Sequence, residues 1–154
     1  MKVKRRSMIT INHLTTKPAS RYADSDPERE GNKNTRFADL IIDGQSLFRM
    51  LKKHDLIPAL GWGSEEYQRQ MIDYFLLKQL HPISYYRYPI LVCPWCGDVE
   101  CGFISVWIER DGDNVVWKEF KLEPGNQPIH IGPYYFKWED YELAIQKTFS
   151  AAEL

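Results

Sequence analysis

Apolar residues along the chain arrive in short bursts, and the period within each burst predicts an element. Residues 3–14, VKRRSMITINHL, alternate loosely, with Val3, Ile9 and Ile11 on one face and Met8 and Leu14 on the other. A period near two with many polar positions predicts an edge strand. The segment 15–35 carries two prolines, one glycine and no large apolar residue except Tyr22, which predicts a long polar loop. Residues 36–44, RFADLIIDG, form a short apolar run that reads as a buried strand.

Helical spacing follows. Leu47, Phe48 and Leu51 line one face of a first helix that Asp43 can cap and Pro58 stops. The turn GWGS then places Ser64 as the N-cap of a second helix, with Glu65 and Glu66 in its first turn. That helix is expected to reach about Gln79, with Tyr67, Met71, Tyr74, Phe75 and Lys78 on its packed side.

The second half returns to strands: 88–93 (YPILVC), 103–110 (FISVWIER) and 114–122 (NVVWKEFKL). Gly112 supplies the positive φ a tight loop needs between the last two. A three-residue loop pairs Ile108 with Val116, Val106 with Lys118 and Ile104 with Phe120, and sets Trp107 opposite Trp117 on the other face. A slip by one residue would set Val106 against Glu119, so the apolar match favours the first register. Tyr134 to Phe136 can form a short strand, and a last helix from Trp138 to about Phe149 shows Trp138, Tyr141, Ile145 and Phe149 as its apolar stripe. The order ββααβββα predicts an α+β domain, a mostly antiparallel sheet with helices packed on one face. The whole chain, 1–154, is expected to be one domain.

Composition narrows the function classes. The net charge of −1 gives no field that would recruit nucleic acid, and the basic run Lys2 to Arg6 reads as an exposed strand face. No stretch approaches the ~20 apolar residues of a membrane span, and the N-terminus lacks an apolar signal region, so a cytoplasmic protein is expected. There is no G-x-G-x-x-G and no P-loop, and the histidines are scattered, so no catalytic set assembles from the sequence.

Candidate chemistry concentrates in ILVCPWCGDVECGFISV, which holds all three cysteines. In the Cys-Pro-x-Cys-Gly pattern Pro94 fixes φ and Gly97 permits a tight bend, a geometry that aims backbone amides at thiolate sulfurs. Cys93, Cys96 and Cys101 are therefore candidate ligands of a structural zinc, with His130 the preferred fourth ligand. The alternatives are small thiols packed without metal and a redox pair at Cys93 and Cys96. A redox pair is favoured at a helix N-terminus, whereas this one should leave a strand for a turn.

With CPWCGDVECG followed by a tryptophan-bearing strand and VVWKEF, the chain resembles a group of short, uncharacterised proteins of Gram-positive bacteria that share a CPxCGDxxCG-like turn and a final aromatic helix. The resemblance spans roughly 36–150. It implies a bacterial domain; some relatives carry an oxidoreductase label, and no catalytic residue transfers from them.

Two functional readings follow. The first is a non-catalytic protein-binding module, of the immunity-protein, antitoxin or inhibitor type, that binds a protein partner or a second copy of itself. Its contact face would hold Trp107 and Trp117 with Phe103 and Glu119 on the sheet face opposite Ile104, Val106 and Ile108, tryptophans at the centre and charges at the rim. The second is a thiol- or zinc-dependent enzyme using Cys93, Cys96 and Cys101. Neither reading calls for nucleic acid or membrane.

Overall fold

The computed structural model describes residues 10–21, 35–79, 87–94 and 102–150. The fold is α+β, and the described residues form two antiparallel sheets. The smaller sheet runs β1 (Leu14–Arg21), β2 (Thr35–Ile42), β3 (Gln45–Ser46). Next come a single turn of helix, α1 (Leu47–Met50), a 3-10 turn (Lys52–His54) and the short β4 (Ile57–Pro58). After α2 (Glu65–Phe75) the larger sheet is built from β5 (Arg87–Val92), β6 (Phe103–Asp111) and β7 (Asn114–Glu123). β4 borders β5, while β8 (Gln127–Pro128) and β9 (Tyr134–Lys137) share the outer edge of β7, β9 at its start and β8 at its end. The helix α3 (Trp138–Gln146) follows. Among the described residues no helix is long and apolar enough to cross a membrane.

The core lies between the inner face of the larger sheet and helices α2 and α3. Phe75 of α2 and Tyr141 of α3 meet Trp117 edge-on at 6.0 and 5.8 Å between ring centres, and Phe136 of β9 closes the cluster at 5.1 Å. Such tilted and edge-on pairs match the ring quadrupoles and add to the area they bury. Ser64 caps α2 as expected, its hydroxyl accepting from the Tyr67 amide at 3.1 Å. The helix is shorter than expected, because Leu77 turns left-handed (φ 61°), and Lys78 is exposed rather than packed.

Three expectations are overturned at the N-terminal sheet. Residues 15–21, expected to open a loop, instead continue from Leu14 as β1, pairing with β2 from Leu14↔Ile42 to Arg21↔Thr35. The strand is polar because it is an edge strand, and Pro18 is tolerated there since an edge leaves one row of amides without ladder partners. Of the strand expected at 3–14, residues 3–9 lie outside the described residues, as does the expected loop from 22 to 34. Asp43 does not cap α1. With Gly44 it makes the two-residue turn between β2 and β3, both at positive φ (52° and 83°), the conformation for which Asp-Gly is favoured. Ser46 caps α1 instead, accepting from the Arg49 amide at 3.1 Å, and α1 gives way to the 3-10 turn well before Pro58.

The hairpin register is also corrected. The loop is Gly112–Asp113, closed by Asp111↔Asn114, so Ile108 faces Trp117 and Trp107 faces Lys118. Farther along, the pairing shifts by one residue between Ser105 and Trp107, and Ile104 faces Leu122. Glu119 sits at this bulge with φ 53°. The extra residue reverses the alternation of β7, so that Val115, Trp117 and Phe120 are all buried in one core. A uniform alternation cannot place Trp117 and Phe120 on the same face, which is why matching apolar pairs along an unbroken ladder selected the wrong register.

The two sheets are joined at close range. The Ala38 amide of β2 donates to the Leu60 carbonyl at 3.1 Å. Asn12 bridges the sheets from another side: its amide donates to the Tyr135 carbonyl (2.7 Å), and its side chain donates to Asp43 (2.6 Å) and accepts from the Tyr135 amide (2.9 Å).

Candidate functional site

Of the expected metal ligands, Cys93 directly follows β5 and is 9% exposed. Cys96 and Cys101 lie outside the described residues, so the knuckle as a unit does too. His130 is exposed on the segment that follows β8, in a shallow depression shared with Phe120 and Ile131. Among the described residues no three His, Cys, Asp or Glu side chains converge as a metal site would need.

The expected partner face divides. Trp117 has no exposure; its indole N–H donates to the Tyr141 hydroxyl at 3.2 Å, which donates to the Phe75 carbonyl at 2.7 Å. Burial pushes the Tyr141 phenol pKa up, so the hydroxyl stays a donor. Trp117 is therefore core, and the expectation that it faces outward with Trp107 is corrected. Phe103 and Trp107 are half-buried, and Glu119 is exposed. Trp107 faces Arg87 on one side and Lys118 on the other, as direct cross-strand partners.

Around Trp107 the outer face carries organised charge. Arg87 donates through Nε and Nη2 to the Ser105 hydroxyl (3.1 and 3.0 Å), and that hydroxyl donates to Glu123 (3.1 Å). Arg87 also donates to the Glu119 carbonyl at the bulge. Burial pulls the Arg87 pKa down while Glu123 and Glu119 oppose it, and the bulge that reverses β7 supplies its Glu119 carbonyl as an acceptor for this sheltered guanidinium. Lys118 and Glu109 pair at 2.7 Å, and the Glu109 hydrogen bond holds the Lys118 pKa up.

A second group of residues was missed from the sequence. Asp39, in the middle of β2, is 3% exposed. Its Oδ2 accepts from the Ser46 hydroxyl at 2.6 Å, while its Oδ1 is buried without a hydrogen-bond partner among the described residues. Burial raises the Asp39 pKa; the Ser46 hydroxyl, the Phe48 and Leu40 amides and Lys17 pull it back less strongly. Asp39 belongs to a depression of about 430 Å³ between β1, β2 and α1, whose lining includes Lys17, Ser46, Phe48 and Arg49. The signal was present in RFADLII, a carboxylate in the middle of an apolar run, since a buried charge is costly unless something compensates it. Lys17 could not be added from the sequence, because it becomes the cross-strand neighbour of Asp39 only through the β1–β2 pairing.

No protein-family model matches the chain, and neither the curated proteins nor the solved structures include a significant match to it.

Proposed function

We propose that the chain is a non-catalytic protein-binding module of a bacterial cytoplasm, of the immunity-protein, antitoxin or inhibitor type. The observation that supports this reading is Trp107, half-buried on the outer sheet face between Arg87 and Lys118, with the Lys118–Glu109 ion pair beside it. An aromatic ring among paired charges suits an interface centre, where the ring supplies buried area and the charges supply orientation and selectivity. The partner is another protein or a second copy of this chain, and the contact uses Trp107 and Phe103 without Trp117.

Sedimentation velocity tests self-association, and affinity capture followed by reconstitution from purified components tests a foreign partner. Trp107→Ala and the charge reversal Lys118→Glu should each weaken the association at least about tenfold, in the range of interface hot spots. Affinity unchanged in both variants would remove this face from the proposal. Zinc held by Cys93, Cys96, Cys101 and His130 would act here as a staple behind β5, and Cys96→Ser should then lower metal content and melting temperature together. Folded, zinc-free protein with three titratable thiols would leave only the packed-thiol reading of the cysteines. Insulin reduction above background, lost in Cys93→Ser, would favour the thiol enzyme instead.

A further inference from the structure

The geometry points to a second binding site, independent of the Trp107 face: the Asp39 depression takes a small apolar zwitterion, its ammonium on Asp39 and its carboxylate at Lys17 and Arg49. Three features carry this. The first is the open valence of Asp39. Among the described residues it is the only buried carboxylate, and one of its oxygens already has the Ser46 hydroxyl as donor. The other oxygen is buried and makes no hydrogen bond of its own with the described residues. Buried acceptors are normally satisfied, and a carboxylate binds a cationic donor more strongly than a neutral one.

The second feature is the pattern of charge. Lys17 and Arg49 are both exposed and line the same depression as Asp39. A simple cation would meet two like charges at the rim, and a simple anion would meet Asp39 below. A ligand carrying both signs a short distance apart satisfies both, and the guanidinium of Arg49 suits a carboxylate in particular. The third feature is the wall. Ala19, Ile41 and Phe48 contribute apolar surface to a space of about 430 Å³, within the size range of small-molecule sites. An α-amino acid with an aliphatic side chain combines these requirements: an ammonium, a carboxylate one carbon away and an apolar body.

The test is a titration of the isotope-labelled full chain with L-leucine, followed by NMR. Saturable shifts are expected at the Asp39 and Ser46 amides and at the Asp39 carboxyl carbon. Asp39→Asn, close in shape, should weaken leucine at least about tenfold by removing a charge-assisted contact. Arg49→Ala alters an exposed side chain and should weaken it similarly, so the site remains testable if the Asp39 variant folds poorly. Isocaproate, which lacks the amine, and isoamylamine, which lacks the carboxylate, should each bind at least about tenfold less well than leucine. No shift at these residues with leucine overturns the inference. So does leucine affinity unchanged in both variants, or isocaproate binding as tightly as leucine, which would reduce the site to a cationic rim. If Lys17→Ala moves the Asp39 titration while leucine has no effect, Lys17 is simply the carboxylate's own counterion, and the inference also fails.

Discussion

At the residue scale, the two tryptophans of the central hairpin have opposite roles despite similar settings in sequence. Trp117 fills the core and holds the Tyr141 hydroxyl, which in turn holds the carbonyl at the end of α2. Trp117→Ala should cost about 3–5 kcal/mol, as a large core truncation does, whereas Trp107→Ala should cost clearly less; urea unfolding of both variants measures the difference. Asp39 gives a prediction with a pH sign. Burial raises its folded pKa above the ordinary aspartate value, so the folded state holds the proton more tightly than the unfolded state. Stability from this group is present below the unfolded-state pKa and is lost as pH rises through the folded pKa. Asp39→Asn removes the titration, so it should stabilise the protein at neutral pH and lose that advantage toward acid. Denaturation midpoints across the pH range report the change, and a variant less stable than wild type at pH 7 would contradict it.

Among elements, β7 carries the lesson of the hairpin. The two-residue loop and the bulge at Glu119 together bring Val115, Trp117 and Phe120 into one core. Glu119 adopts φ 53°, which costs a β-branched residue most and glycine least. Glu119→Val should therefore be less stable than Glu119→Gly by about 1–2 kcal/mol, read from thermal melts of the two variants. The strand limits of the hairpin were legible from alternation, and the cap of α2 from Ser64 and its acidic first turn. The bulge was not legible, because its residue is a glutamate, with nothing in its chemistry to announce a left-handed backbone. β1 was not legible either, since a polar edge strand has no apolar alternation to detect; its strand character comes from pairing with β2.

For the whole molecule, the junction of the two sheets is the sensitive point. Gly61 lies where β2 and the segment after β4 come together, with φ 68°, and a Cβ added there would fall 2.5 Å from the Ala38 Cβ and 2.8 Å from the Thr148 carbonyl. Gly61→Ala should cost about 2–5 kcal/mol, combining left-handed strain with overpacking. Differential scanning calorimetry checks this, and a melting temperature within error of wild type would mean that the sheets can part at this point without loss.

The features legible along the chain are local ones: the helix cap at Ser64, the hairpin strands, the final helix and, from their order, the α+β class. Each depends on periodicity or on a side chain bonding its own backbone, interactions that span a few residues. Every feature set by a partner distant in sequence came from the assembled fold. Trp117 became core because the two-residue loop paired it with Ile108, and the bulge beyond it kept Phe120 on the same side. Asp39 gained Lys17 and Arg49 as neighbours because β1 paired with β2 and α1 closed over them. A side chain's burial and its charged surroundings belong to the assembled fold, and pairing across tens of residues leaves no period in the chain from which to read them.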